Sequence, residues 1–426
     1  MTERDVIVVG AGIAGLVAAR DLALAGLSVT ILEASDSLGG KVCSQRVAGL
    51  TLDAGAESFA TRGGTVERLV RELGMADLLV APQQHGAWLR LLDGRTLPLP
   101  NASLLGIPGT PMAADVLEIV GFGGALRAQL DSLIPWVVGS KERTIGALVR
   151  RRMGARVLER LVAPVVAGVH SRHPDEIEID LAAPGLRRAL KTRDSLAGAV
   201  LALRDAAPPG AKVMGLRGGV HTLVSELAAD LHSAGVDIRV GNRASRADSD
   251  GVTTESGERL HAAVAVLSST PEQPAGGARI SLATLVVDSS ELDDAPRGTG
   301  LLVTPGAEGV AAKAITHATA KWQWLAEVAG PHRHVLRLSY GGDATDLPDD
   351  ELFASARADA ESLLGVPLPQ SSILDAARVN WTAPSQGGRY PSGVLPIGEG
   401  TAGTGLAAVI EQARNVAATV LSQRSE

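Results

Sequence analysis

Four apolar residues of strand type, Val6 to Val9, run directly into Gly10-Ala11-Gly12-Ile13-Ala14-Gly15, and a helical pattern follows from Leu16 to Ala25. Few architectures accept a strand that meets a helix through this spacing. The first glycine permits a tight turn, the second lets a pyrophosphate approach bare backbone, and the third lets helix and strand pack closely. Ser28 to Leu32 reads as the next strand, which completes a βαβ unit of about 30 residues. The helix start offers unpaired N–H groups and partial positive charge to an anion. Glu33 follows the second strand, 18 residues beyond Gly15. A carboxylate there accepts hydrogen bonds from ribose hydroxyls and disfavours a 2′-phosphate. An adenine dinucleotide is therefore expected at this turn, with Ile13, Ala14 and Ala34 on its rim.

The next residues favour FAD over NAD. Gly39-Gly40-Lys41 supplies a second stretch of bare backbone with a cation, placed to touch the same dinucleotide from its other side. Near the C-terminus, Gly398-Glu399-Gly400-Thr401-Ala402-Gly403 again spells the glycine spacing after a strand, Val394 to Ile397. Only 23 residues follow Gly403, room for one helix and not for a second βαβ unit. This strand and helix are expected to return to the first domain. Glu399 would then lie near the ribityl chain or pyrophosphate, and the turn through Thr404, Gly405 and Leu406 would aim a helix start at the flavin. Ala244, beyond the strand Asp237 to Val240, completes the expected cofactor side. With no room for a nicotinamide-binding domain, electrons come from an organic substrate and leave to oxygen or another small acceptor.

With 426 residues, 45% of them apolar, the chain can bury a large core and divide into two domains. Residues 1–85, 205–275 and 380–426 are expected to form a discontinuous nucleotide-binding domain. A helical insertion, 86–204, and a sheet region, 276–379, are expected to form the substrate domain. Strands are expected at Lys212 to Leu216, Ile280 to Asp288, Gly300 to Val303, Lys313 to His317 and His334 to Tyr340, and a helix over Asp349 to Leu364. The fold class is α/β: a Rossmann-type FAD domain interwoven with a sheet-plus-helix domain. Arg150, Arg151 and Arg152 read as one solvated or helix-packing face. A net charge of −7 without a basic run argues against nucleic acid. A single cysteine, Cys43, excludes an internal disulfide and suits a reducing compartment. No run approaches the roughly 18 to 20 apolar residues of a membrane span, and Glu3, Arg4 and Asp5 stand where an export signal would be basic. Cytoplasmic placement, with at most peripheral membrane contact, is the expectation. No metal site and no catalytic side chain is assigned.

Several segments together resemble the protoporphyrinogen and coproporphyrinogen oxidases of the flavin amine-oxidase superfamily. Val6 to Leu16, Glu33 and Gly39-Gly40-Lys41 are common to the superfamily. Asp53-Ala54-Gly55-Ala56-Glu57-Ser58-Phe59 is similar to its flavin-side segment, with Ala56 where proline is usual. More specific are Leu97 to Pro100 with Gly106-Ile107-Pro108, Arg151 to Gly154 with Leu161 to Pro164 and Ala167 to His170, and Lys313 to Thr316 with Lys321-Trp322.

The resemblance implies an amine-oxidase-like two-domain architecture and the six-electron oxidation of a porphyrinogen. FAD would take the electrons, and oxygen would reoxidise it to give peroxide. It favours coproporphyrinogen III, places Gly55, Ala56, Glu57 and Ser58 beside the flavin, and puts Arg62 and His170 on the substrate side. A haem-pathway enzyme is a possible partner. Two features depart from the family: the stretch from Trp381 to Val394 is shorter, and aromatic residues are only 2% of the chain. They leave open another flavin oxidase or desaturase, acting on protoporphyrinogen IX, an amine or a polyene, and a flavoprotein of the haem pathway without turnover.

Overall fold

The computed structural model describes residues 4–170, 173–205, 213–268, 277–382 and 390–425. The chain divides into two compact units, one of Met1–Pro82, Ala211–Ile280 and Val379–Glu426, the other of Gln83–Gly210 and Ser281–Arg378.

In the first unit, strand Arg4–Val9 lies between Val29–Leu32 and Arg259–Leu267, parallel to both, with Val6 opposite Val29 on one side and Val264 on the other. Asp237–Arg239 extends the sheet beyond Val29–Leu32. Val394–Pro396 pairs in parallel with the C-terminal half of Arg259–Leu267, while Gly251–Thr254 pairs antiparallel with its N-terminal half. Strands covered on both faces are apolar throughout, and Val6, Ile7, Val8 and Ile31 are fully buried.

The helix Ile13–Leu24 buries nine of its twelve residues, one of them Arg20. Arg20 pairs with Asp230 at 2.5 Å and Glu72 at 3.1 Å, and Glu72 also takes Arg414 at 2.5 Å. One buried guanidinium thus ties the first helix to Thr65–Glu72 and Thr222–Ser233, and Arg414 adds the closing helix Leu406–Ser425. Val213–Leu216 departs from the expected nucleotide-binding layer. It pairs antiparallel with Phe59–Ala60 and Leu79–Val80 in a separate ribbon, and Lys212 lies outside the described residues.

The second unit has a mixed sheet in the order Ile373–Thr382, Arg279–Asp288, Arg333–Gly341, Ala314–His317, Gly300–Val303, Trp88–Arg90 and Thr96–Pro98. The helix Asp349–Leu364 packs its Leu352, Ala356, Ala360 and Leu363 against this sheet in one core. A second core joins the helices Ala114–Gln129, Ile145–Met153, Leu186–Arg193 and Leu196–Asp205. Here the expected basic face divides. Arg150 and Arg151 are exposed, but Arg152 is fully buried against Asp131 at 2.5 Å. Successive residues of a helix are rotated by about 100°, so three consecutive arginines point in different directions and cannot share one environment.

Candidate functional site

The site grows from the end of strand Arg4–Val9, where Gly10 takes a φ of 96° and Gly12 begins the first helix with no side-chain cap. A Cβ on Gly15 would stand 1.9 Å from the Gly10 carbonyl oxygen, so this position needs glycine for packing alone. Gly12 differs. A Cβ there would meet only Ser268 Oγ, at 3.9 Å, so the protein leaves the space over it open. Above that gap the N–H groups of Ile13, Ala14 and Gly15 begin the helix, where orphan donors and the helix dipole favour an anion. Such a gap over a bare helix start fits a dinucleotide pyrophosphate.

Glu33 holds the turn from below. Its Oε2 accepts the Ala11 N–H at 2.7 Å, and its Oε1 accepts the Ser35 N–H and hydroxyl, both at 2.8 Å. Ala34 beside it is exposed. The Gly39 N–H donates to Ala11 O at 2.8 Å, and a Cβ on Gly40 would lie 3.4 Å from Gly12 Cα. The hairpin Ser44–Val47 and Leu50–Asp53 then folds the chain back. Ala56 N–H reaches Lys41 O at 3.3 Å, and a Cβ on Gly55 would stand 1.9 Å from the same oxygen. Glu57 and Ser58 follow, both half-buried.

From the far end of the chain, Gly398 (φ 93°) comes within 3.7 Å of Ala14 Cβ, measured from its own missing Cβ. Its N–H donates to Gln412 Oε1 at 2.8 Å. Glu399 Oε2 pairs with Lys41 Nζ at 2.5 Å, bridging two glycine turns 358 residues apart. Glu399–Ala402 forms one helical turn, after which Thr404 and Gly405 are exposed and Leu406 starts the closing helix. Four segments therefore meet around Gly12. Ala244 begins the strand Ala244–Asp248 at the sheet's far edge and packs against the core that holds Ile7, Val9 and Leu32. Arg62 opens the short turn Arg62–Gly64 and His170 ends the helix Ala163–His170; the side chains of both lie outside the described residues.

Three features were not anticipated from sequence. Ser268, just past the strand Arg259–Leu267, donates its N–H to Val9 O at 2.8 Å and faces both Gly12 and Gly398. Its only sequence signal was the apolar run before it. Trp381 lies 3.5 Å from the Cβ position of Gly55, and its buried indole N–H has no partner. The third lies in the second unit, where His85, His317, His332 and His334 line a cavity of about 470 Å³ with Asp293. Asp293 accepts from His334 Nε2 at 3.0 Å and from His332 Nδ1 at 2.7 Å. His334 therefore carries its proton on Nε2, which leaves Nδ1 to accept from His317 Nε2 at 3.0 Å. Burial pulls the His317 pKa down to about 3, and the neighbouring His334 and His85 act in the same direction. Among the described residues no group of His, Cys, Asp and Glu is arranged to hold a metal ion.

Fold and site together define the class: an α/β protein in which glycine turns from both ends of the chain meet around Gly12. The model of the flavin containing amine oxidoreductases matches residues 13–281. Coproporphyrinogen III oxidase of Mycobacterium tuberculosis (strain H37Rv) is 32% identical over 395 residues, covering 86% of this chain and 84% of that protein. The Bacillus subtilis coproporphyrinogen III oxidase is 24% identical over 480 residues, covering 99% of this chain and 98% of that one. A crystal structure from Exiguobacterium sp. 255-15, provisionally named a protoporphyrinogen oxidase, superposes with a TM-score of 0.83 at 22% identity, over 99% of this chain and 100% of that chain. The chain belongs to the flavin containing amine oxidoreductase family, and its cofactor is FAD. It is an FAD-dependent oxidoreductase.

Proposed function

We propose that this oxidase converts coproporphyrinogen III to coproporphyrin III with molecular oxygen as the final acceptor. The observation that carries the reading is similarity along most of the chain to coproporphyrinogen III oxidases, at 32% identity in the mycobacterial case. Each conversion removes six electrons and six protons, matched by reduction of three oxygen molecules to hydrogen peroxide. Bound FAD supplies the two-electron chemistry.

The chain's own residues bind and orient. The open face of Gly12, with the N–H groups of Ile13, Ala14 and Gly15, would seat the pyrophosphate, and Glu33 would meet the adenosine ribose. Gly39, Gly40, Lys41, Gly55, Ala56, Glu57, Ser58, Gly398 and Glu399 would enclose the rest of the cofactor. The helix start at Thr404, Gly405 and Leu406 would face the isoalloxazine and stabilise negative charge there. In this reading the first unit is the FAD-binding domain. The second is the substrate domain, and Arg62 and His170 serve propionates. Ala244 keeps its place as an outer cofactor contact in the proposal only.

Anaerobic mixing of FAD-loaded protein with coproporphyrinogen III tests the proposal. Bleaching of the flavin absorbance, restored by air, is the expected result. A spectrum that stays oxidised with this substrate, but bleaches with protoporphyrinogen IX or an amine, would move the protein to another substrate.

A further inference from the structure

Among the described residues, the cleft beside Asp293 is lined by the second unit alone, and none of the segments around Gly12 contributes to it. Its hydrogen bonds run inward from a surface carboxylate. Asp293 takes the His334 Nε2–H at 3.0 Å, His334 Nδ1 takes the His317 Nε2–H at 3.0 Å, and the Thr319 hydroxyl lies 3.3 Å from the same Nδ1. Each proton is thereby assigned, and the chain of bonds ends on a lone pair: His317 Nδ1 is buried and has no partner among the described residues. Burial, with His334 and His85 adding to it, keeps His317 unprotonated at neutral pH, so the lone pair persists. A buried acceptor left unmet costs about 1–3 kcal/mol, and native proteins carry few of them.

The wall around this lone pair offers further acceptors. On the helix Gln323–Ala329, Gln323, Ala326 and Glu327 stand three and four positions apart, which puts them on one face, and that face lines the cleft. Gln83 Nε2 donates to Gln323 Oε1 at 3.1 Å, and Gln323 Nε2 donates to Glu327 Oε1 at 3.3 Å. Gln83 Oε1 and Glu327 Oε2 are left over from this ladder as acceptors. Backbone strain gathers at the same place. Of the five non-glycine residues with positive φ among those described, two, Ala295 (φ 47°) and His332 (φ 60°), line the cleft. Strain of this kind costs about 1–3 kcal/mol per residue and clusters at ligand clamps.

We propose that this cleft binds a small neutral polyhydroxylated molecule, a sugar or a polyol, with one hydroxyl donating to His317 Nδ1. Charge selects that class. Arg333 on the rim opposes a cation, while Asp293 and Glu327 oppose an anion. A hydroxyl both donates and accepts, so one molecule can meet the glutamine and glutamate oxygens and the guanidinium in turn. Leu292, Ala326 and Pro331 give its carbon skeleton an apolar surface. A cavity of about 470 Å³ lies in the range of small-molecule sites and admits a ring of monosaccharide size. The site is independent of the porphyrinogen reading, because it shares no residue with the flavin cradle or with Arg62 and His170.

The test is a saturation-transfer NMR titration of FAD-loaded protein with glucose, ribose and myo-inositol, and in parallel with putrescine and inorganic phosphate. At least one of the three neutral probes is expected to saturate with a Kd of about 1 mM or tighter, and putrescine and phosphate to bind roughly tenfold less. His317→Leu should weaken binding of that probe roughly tenfold or more. Because this change also takes a donor from His334, Gln83→Ala serves as a variant at the rim. It should weaken binding about threefold, with melting temperature and flavin absorbance unchanged. Val328→Ala, exposed on the same helix but outside the cleft, should leave binding intact. No saturation by any neutral probe would overturn the proposal. So would undiminished binding in both the His317→Leu and Gln83→Ala variants, or tighter binding of putrescine or phosphate than of the neutral probes.

Discussion

Gly12 and Gly15 lie on the same turn yet answer to different neighbours, one to a space outside the protein and the other to a carbonyl oxygen inside it. Gly15→Ala drives a methyl against the Gly10 carbonyl and is expected to lower the melting temperature and FAD occupancy together. Gly12→Ala meets no protein atom closer than 3.9 Å. It should melt like the wild-type apoprotein while binding FAD roughly tenfold or more weakly. Calorimetric titration of both apoproteins checks the pair. Equal loss of stability in both would mean that the gap over Gly12 is not a ligand seat. His317 gives a second prediction at this scale. Its folded pKa of about 3 lies below the ordinary 6.5, so the unfolded chain binds more protons between these values. The stabilisation is complete above about pH 6.5 and is lost as pH falls toward about 3. Between about pH 6.5 and pH 5 this single group should cost about 2 kcal/mol. Urea unfolding of wild type and His317→Asn at the two pH values should show the difference shrinking in the variant.

Among the elements, the segment from Leu130 to Val138 depends on one side chain that does not belong to it. Arg152→Met leaves Asp131 buried without its cation and frees the carbonyls of Ile134, Pro135 and Val138. A loss of about 3–5 kcal/mol in denaturant unfolding is expected; a loss within error of zero would show that water replaces the guanidinium. The same residue shows where reading the chain reached its limit. Three adjacent arginines look alike in a sequence, and only the helix phase and the distant Asp131 separate the buried one from its exposed neighbours. The βαβ start was legible because strand, glycines, helix and Glu33 are all set by local backbone needs within one short stretch. By contrast, Arg259–Leu267, the strand next to Arg4–Val9, is recruited from far along the chain, and Ser268 enters the site only through that pairing. The histidine cluster was hidden for the same reason, since His85, His317 and His334 meet only after the sheet forms.

Over the whole molecule, each unit is stitched from separated stretches of chain. The last strand and helix were expected to return to the first βαβ unit. The structure gives that return a physical form in the pairing of Val394–Pro396 with Arg259–Leu267 and in the Lys41–Glu399 ion pair. In the proposed reading the far end of the chain closes the flavin seat. Breaking the bridge with Glu399→Gln is therefore expected to accelerate FAD release without unfolding the protein, measured as recovery of free flavin fluorescence on dilution. Surface ion pairs contribute about 1 kcal/mol or less to stability, so a large fall in melting temperature would place Glu399 in the fold and not in cofactor retention.

The central claim, that an FAD cradle on this fold oxidises a porphyrinogen with oxygen, is tested most directly by aerobic turnover of coproporphyrinogen III. Porphyrin fluorescence and oxygen uptake would be followed in the same cuvette. The account predicts fluorescence growing in proportion to enzyme, with about three oxygen molecules consumed per porphyrin formed. A rate no greater than that of the substrate with free FAD alone would contradict it.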